Sequence, residues 1–225
     1  MDEGSVHLLY KWPSGAEFGS RVPKEKIYDQ VGFPALAREK FVSEVQRIVW
    51  THKLAPATVN LPGTLEVAEI QVFRIDAKGG EVSDSVLSAI DKAVKFPIIF
   101  ELVGGEGENR KICMAAAHKQ IRTGTPALSQ HFRTAWQRLA ADRSPLPAAI
   151  DLGGLYTALL TPLLPVATRA GDDVSEVAAR LVSVRKLERE IATLERKLRT
   201  EPQLNRKIEL RRTLKIKQAE LEQQR

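Results

Sequence analysis

Apolar residues recur at helical spacing early in the chain, and the pattern then changes to one typical of strands. Between Pro34 and Ile48 the apolar residues are spaced so that they form one stripe, which predicts a helix. Residues 48–54 are rich in β-branched and aromatic side chains, and residues 66–76 form the most strand-like run in the sequence. We therefore predict a helix followed by two strands.

The same alternation of elements continues through the next fifty residues. A helix is predicted over residues 83–93 with Ser83 as its N-cap, followed by a near-continuous apolar strand over residues 96–103. Such a strand is expected to be covered on both faces. Residues 111–117 are predicted as its hairpin partner. The order of elements predicts an α+β domain built on a mixed α/β sheet.

Two more helices are predicted before the C-terminal part of the chain. Residues 132–139 are predicted as a short helix. Leu152–Leu164 is predicted as a core helix, and at this length it is too short to cross a membrane.

The last part of the chain has a repeat typical of paired helices. Apolar residues from Val177 to Leu198 follow steps of three and four, close to a heptad repeat. Pro202 interrupts the repeat, because proline inside a helix costs roughly 3 kcal/mol. We predict a globular mixed α/β domain over residues 1–170 and an antiparallel helical hairpin, a short coiled coil, over residues 171–225. Its helices could instead pair with a second copy and give a homodimer.

Two details of this hairpin are predicted from single residues. Asp173 and Glu176 form a capping-box pattern at the start of the first helix. The apolar stripe of the second helix is predicted to contain Leu204, Ile208, Leu210, Leu214 and Leu221.

Charge is concentrated in this hairpin. The 225 residues include 34 Lys and Arg against 28 Asp and Glu, for a net charge of +6. Between Arg196 and Lys217 only Glu201 and Glu209 oppose nine basic residues. A surplus of this kind attracts polyanions, although it also occurs on helices that are merely solvated. The predicted nucleic-acid or partner-binding residues are Arg196, Lys197, Arg199, Arg206, Lys207, Arg211, Arg212, Lys215 and Lys217.

Several function classes find no support in the sequence. Cys113 is the one cysteine, which excludes an internal disulfide and a cysteine-based zinc cluster. The four histidines are isolated, so no metal site and no cofactor are predicted. No apolar run has the length of a membrane helix, and the first residues lack the pattern of a secretory signal. These observations predict a cytoplasmic protein of bacterial type.

One pair of polar residues in the second predicted strand suggests a catalytic alternative. Glu69 and Gln71 lie on the same strand face, and the order of elements loosely resembles the restriction-endonuclease core. In that core a strand carboxylate holds Mg²⁺, which activates water. Glu39 and Glu44 are the candidates for a second acidic ligand. The alternative interpretations are a structural pair that is hydrogen-bonded to the sheet edge or to a neighbouring lysine, and a degenerate, inactive nuclease-like fold.

Six segments together resemble an uncharacterised bacterial domain-of-unknown-function family of similar length. They are residues 23–24, 48–61, 69–73, 90–94, 97–102 and 201–210. Members of that family look like neighbours of helicases and DNA methyltransferases in restriction-modification and phage-defence islands. The family's aromatic–lysine pair near the end of the second hairpin strand corresponds here to His118 and Lys119. The resemblance implies no catalytic residues.

The leading functional expectation combines this context with the charged hairpin. It is a non-catalytic accessory subunit of a bacterial DNA-targeting complex, in anti-phage defence or restriction-modification. Its partners would be a larger protein, such as a helicase or methyltransferase, and DNA, with no membrane involved. The alternatives are an Mg²⁺-dependent nuclease that uses Glu69 and Gln71, and a nucleic-acid-binding module that acts alone.

Overall fold

The first unit of the chain contains both helices and strands, and the described residues of the second unit form two long helices. The structure is a computed structural model that describes residues 8–28, 35–120, 127–164 and 174–224. The units are Met1–Leu164 and Pro165–Arg225. The predicted boundary between residues 170 and 171, and the capping residue Asp173, lie outside the described residues.

The described residues form seven strands and seven α-helices, which confirms the predicted α+β class. The strands are β1 (Glu17–Arg21), β2 (Val45–Leu54), β3 (Ile70–Ala77), β4 (Ile98–Gly104), β5 (Lys111–Gln120), β6 (Ala127–Arg133) and β7 (Gln137–Arg138). The helices are α1 (Lys24–Tyr28), α2 (Ala35–Glu44), α3 (Pro56–Val59), α4 (Asp84–Ala93), α5 (Leu152–Leu160), α6 (Val174–Thr200) and α7 (Leu204–Gln224).

The strands form one mixed sheet in which β1 to β6 follow one another in chain order. Neighbouring strands are antiparallel, except that β3 and β4 are parallel. The α4 helix provides the crossover between these two, since parallel neighbours cannot be joined by a tight turn. The short strand β7 pairs with the start of β5.

One face of the sheet carries the larger apolar core. Phe73 and Ile75 of β3 lie opposite Phe100 and Leu102 of β4, and none of these side chains is more than 3% exposed. They belong to a buried cluster that includes Phe41 of α2 and residues of α4. Burial of each such side chain contributes roughly 1.5–3 kcal/mol. Helices α2 and α4 therefore cover this face.

The opposite face contains a buried carboxylate in the middle of the sheet. Glu101 of β4 accepts hydrogen bonds from the indole Nε1 of Trp12 at 2.8 Å and from Arg143 at 2.6 Å. Arg143 also donates to the backbone carbonyl of Tyr10. A buried carboxylate is tolerated only with such partners. These bonds hold the segments before β1 and after β7 against β4.

The predicted helix over residues 34–48 is too long at its C-terminal end. Helix α2 ends at Glu44, and Val45 is already the first residue of β2. Phe41, Val45 and Ile48 are nevertheless all buried. The apolar stripe was therefore identified correctly, but it continues from a helix into a strand.

Three further predictions need correction. Residues 132–139 are not helical, because they contain the end of β6 and all of β7, and both pair with β5. The strand predicted over residues 66–76 begins only at Ile70. Ser83 occupies the N-cap position of α4, but its side chain makes no capping hydrogen bond. Its hydroxyl instead contacts the hydroxyl of Ser85 at 2.9 Å.

The described residues of the C-terminal unit form a pair of helices in contact. Helix α6 ends at Thr200 and α7 begins at Leu204, so the helical structure is interrupted at the predicted position around Pro202. Lys217 of α7 lies 3.3 Å from Glu190 of α6, as expected for antiparallel helices joined by a short turn.

The apolar contacts of this pair are concentrated away from the turn. Val184 and Leu187 of α6 form a buried cluster with Leu221 of α7. Ile208 was predicted to lie in the same stripe, but its side chain is 56% exposed. It lies outside the seam because the partly buried positions of α7 follow steps of three and four through Leu210.

Candidate nucleic-acid interface

Most of the basic residues predicted for binding are open to solvent on the hairpin. We refer to the nine predicted residues from Arg196 to Lys217 as the cationic cluster. Lys207 and Lys217 are half-buried along the seam between the helices. The seven exposed members are Arg196, Lys197, Arg199, Arg206, Arg211, Arg212 and Lys215.

Lys217 differs from the rest of the cationic cluster because it has acidic partners. Its ammonium group lies 2.9 Å from Glu220 on the same helix and 3.3 Å from Glu190 on α6. Hydrogen bonds to these two carboxylates raise the pKa of Lys217 above its usual range. Lys217 therefore joins the two helices and is less available to a ligand.

The other eight members make no ion pair within the part of the chain that the structure describes. One of the two opposing carboxylates, Glu201, accepts a hydrogen bond from the backbone N–H of Gln203 in the turn. The positive charge at this end of the hairpin is therefore largely uncompensated. Exposed and unpaired guanidinium and ammonium groups are the donors that bind phosphate oxygens of a nucleic-acid backbone.

The structure brings together the two residues predicted as a nuclease site. Gln71 donates a hydrogen bond of 2.7 Å to Glu69 Oε1, and Lys53 Nζ lies 2.9 Å from Glu69 Oε2. Both Glu69 and Gln71 are buried. Each carboxylate oxygen of Glu69 thus already has a partner from the protein, as expected for the structural alternative.

The candidate second ligands are engaged elsewhere or exposed. Glu44 Oε2 accepts a hydrogen bond of 2.7 Å from the backbone N–H of Ser83, at the start of α4. Glu39 is exposed on α2. Among the described residues, no three His, Cys, Asp or Glu side chains lie close enough together to hold a metal ion. The Mg²⁺-dependent nuclease stays a prediction.

Sequence reasoning missed a cluster of arginines around one buried carboxylate. Asp76, near the end of β3, accepts hydrogen bonds from Arg47 Nε at 2.8 Å and Arg47 Nη2 at 2.5 Å. Arg74 and Arg110 lie 3.2 Å and 3.3 Å from its other oxygen. We refer to Arg47, Arg74 and Arg110 as the arginine cluster. The single carboxylate of Asp76 therefore pairs with all three guanidinium groups of the arginine cluster.

The sequence contained only part of the signal for this arrangement. Arg74 and Asp76 are two residues apart on one strand, so they lie on the same face of the sheet. Arg47 lies opposite Asp76 in the pairing of β2 with β3, and Arg110 follows the turn after β4. Those two neighbours become visible only when the strand register is known.

A second buried cluster lies between α4 and the strands β5 and β6. Asp91 lies 3.2 Å from Lys119 Nζ and 2.9 Å from His131 Nε2, and these three side chains are at most 1% exposed. Lys119 also donates to the backbone carbonyls of Asp91, Val94 and Phe96. The lysine of the His118–Lys119 pair is therefore a buried structural group.

Burial shifts the pKa values of Lys119 and of the neighbouring Tyr156. Desolvation lowers the pKa of Lys119 below its usual range, and the neighbouring Asp91 carboxylate partly offsets this effect. Desolvation also raises the pKa of the nearby Tyr156 phenol, whose hydroxyl donates to the carbonyl of Ala117. All of these side chains are buried, and their partners are other groups of the protein.

A family model described as a domain of unknown function (DUF4391) matches residues 11–221. The chain belongs to the DUF4391 family. Comparisons with curated proteins and with solved structures gave no match. The family match covers β1 to β7 and nearly all of α7. The cationic cluster therefore lies within the DUF4391 domain itself.

None of the described helices of this DUF4391 member combines the length and the apolar character that a membrane span requires.

Proposed function

We propose that this chain is a non-catalytic accessory subunit of a bacterial DNA-targeting complex, in anti-phage defence or restriction-modification. In this role it docks a larger protein, such as a helicase or a DNA methyltransferase, and its hairpin contacts DNA. The observation that carries the DNA contact is the cationic cluster, of which eight members have no acidic partner among the described residues.

The physical basis is the cost of leaving these charges unpaired. Like charges on neighbouring turns of a helix repel each other by a few tenths of a kcal/mol per pair. Phosphates relieve that repulsion and release counterions from DNA, which strengthens binding at low salt. The hairpin supplies the geometry, since α6 and α7 are held together by Leu187, Leu221 and the Lys217 ion pairs.

DNA binding is tested with the full chain and a duplex of about 30 base pairs by fluorescence anisotropy. The Arg211→Glu/Arg212→Glu double variant is expected to bind at least about tenfold more weakly, because two charge-assisted contacts are reversed. The matched control is Lys186→Glu/Arg189→Glu, which changes the formal charge equally at exposed α6 positions outside the cationic cluster.

The salt dependence of DNA binding distinguishes direct contacts of the cationic cluster from a general effect of the net charge of the protein. If both arginines contact phosphates, the slope of log K against log salt falls by roughly two in the Arg211/Arg212 variant. An equal loss in both double variants, or no DNA binding by the parent protein, would overturn the DNA contact.

The partner contact is tested separately by co-expression. The full chain is produced together with the helicase or methyltransferase encoded nearest to its gene, and the mixture is separated by size-exclusion chromatography. Co-elution at a defined stoichiometry supports docking of that partner. Separate elution of both proteins argues against the accessory role and leaves the module acting alone as the better description.

A further inference from the structure

The open end of β2 and β3 contains a cavity lined by arginines that has no assigned role. Its volume is about 430 Å³, which lies within the range of pockets for small ligands. Arg21 from β1, Arg47 from β2 and Arg110 from the turn before β5 line it, above Asp76. Four strands or their ends thus converge on one cavity.

The charges at this cavity do not balance. Arg47, Arg74 and Arg110 share the single carboxylate of Asp76. Arg21 lines the same cavity and makes no ion pair among the described residues. The lining of the cavity therefore contains three positive charges, on Arg21, Arg47 and Arg110, against the single negative charge of Asp76, which is 4% exposed. The surplus is two positive charges.

Asp76 orients the guanidinium groups without neutralising them. Arg47 uses Nε and Nη2 on one oxygen of Asp76, whereas Arg110 uses a single nitrogen on the other. A guanidinium has five N–H donors, so several donors of each group remain for a ligand. Arginine donors held in fixed directions suit the tetrahedral oxygens of phosphate, which they bind in pairs.

We propose that this cavity binds a terminal phosphate group, as a dianionic phosphomonoester. The double negative charge matches the local surplus better than a carboxylate or a phosphodiester, each of which carries one charge. Among the described residues, no aromatic side chain lines the cavity, so nothing there would stack on a base. Recognition would therefore be directed at the phosphate, from a free mononucleotide or from the 5′ end of a nucleic acid.

Arg21 is the position at which this site is best tested. It is exposed at the end of the edge strand β1, so its removal disturbs no buried contact. Arg21→Ala removes the charge, and Arg21→Lys keeps the charge but loses the paired donors. The matched control is Lys92→Ala, which removes one exposed positive charge from α4, a helix that packs on the opposite face of the sheet.

The experiment uses isothermal titration calorimetry on the full chain carrying Arg211→Glu/Arg212→Glu, so that binding at the hairpin does not mask the cavity. The probes are adenosine 5′-monophosphate and a short single-stranded DNA with either a 5′-phosphate or a 5′-hydroxyl. We expect saturable binding of at least one phosphomonoester probe, and a dissociation constant raised at least about tenfold by Arg21→Ala. The dissociation constant of Arg21→Lys is expected to lie between those of the parent and of Arg21→Ala. Lys92→Ala is expected to leave the dissociation constant unchanged.

The result also identifies the source of the phosphate. Binding of the 5′-phosphate DNA at least about tenfold more tightly than the 5′-hydroxyl DNA assigns the site to nucleic-acid ends. Binding of the mononucleotide without that preference assigns it to free mononucleotides. Absence of phosphomonoester binding, or an equal loss in Arg21→Ala and Lys92→Ala, overturns the site. DNA binding by the hairpin is measured on chains that lack the Arg21 and Lys92 substitutions. The proposed DNA contact and the proposed phosphate site can therefore fail independently of each other.

Discussion

The ammonium group of Lys119 lies 3.2 Å from a carboxylate oxygen of Asp91, and solvent reaches at most 1% of either side chain. Two full charges in the interior are costly to desolvate, and their attraction alone seldom repays that cost. Here three backbone carbonyls also accept hydrogen bonds from Lys119, and these bonds help to offset the cost of desolvation. A single substitution in this pair is therefore expected to have a large effect on the free energy of unfolding.

Replacement of Lys119 by Met is expected to destabilise the protein by about 3–5 kcal/mol, because it leaves the Asp91 carboxylate buried without its cationic partner. Urea unfolding followed by circular dichroism measures the change. The control is Lys92→Met, an exposed position next to Asp91 on the same helix, where a change below about 0.5 kcal/mol is expected. A loss below about 1 kcal/mol for Lys119→Met would show that the pair contributes little.

Burial of Cys113 predicts a dependence of stability on alkaline pH. The thiol is fully buried in β5, and desolvation raises its pKa from an ordinary 9.0 to about 12. Above pH 9 the unfolded chain loses this proton and the folded chain keeps it, so the contribution of the thiol to stability declines as pH rises toward 12. The stability difference between the parent and Cys113→Ala should therefore shrink from pH 8 to pH 10.

This difference is measured by urea unfolding of both proteins at pH 8, 9 and 10. The slope should approach, but not exceed, about 1.4 kcal/mol per pH unit at the upper end. The void left by the smaller alanine adds a constant amount to the stability difference between the two proteins, and this amount does not depend on pH. A constant difference across this range would contradict the assigned burial of the thiol.

The seam of the hairpin predicts unequal effects for two apolar residues of α7. Leu221→Ala is expected to destabilise the helix pair by roughly 2 kcal/mol, because Leu221 packs with Val184 and Leu187. Ile208→Ala should change stability by less than about 0.5 kcal/mol, since most of that side chain is exposed. Thermal unfolding followed at 222 nm, an ordinary helix wavelength, compares the two variants. Equal losses would place Ile208 in a contact that the hairpin alone does not explain.

The partners of Glu69 predict that its removal affects stability and not chemistry. Glu69→Ala leaves Lys53 and Gln71 without their acceptor, and we expect a loss of roughly 1–3 kcal/mol in the free energy of unfolding. Incubation of plasmid DNA with Mg²⁺ is expected to give the same result for the parent and for Glu69→Ala. Cleavage by the parent that Glu69→Ala abolishes would establish the nuclease in place of the accessory subunit.

Local sequence patterns predicted the elements whose burial is uniform or periodic. The apolar run around Ile98–Gly104 indicated a strand covered on both faces, and all seven residues of β4 are buried. The interrupted heptad repeat predicted the turn at Pro202 in the same way. Both features depend on residues close together in the chain, so no knowledge of the tertiary structure was needed.

Elements that depend on distant partners were not predictable by the same means. Strand β7 has two residues and exists because Gln137 and Arg138 pair with the start of β5. The arginine cluster depends on a register between β2 and β3 that brings Arg47 beside Asp76, 29 residues away in sequence. Such juxtapositions have no periodic signature, and an isolated arginine resembles any other surface residue.

The hydrogen bonds of Lys119 also affect how this domain assembles. Carbonyls at the end of a helix need donors, which often come from a glycine-containing turn. Here the chain continues from α4 into β4 through Val94 and Phe96, and the donor is a side chain of β5. The β3–α4–β4 crossover consequently remains incomplete until the next strand docks, so we expect these elements to form together in one cooperative step rather than as an independent folding intermediate.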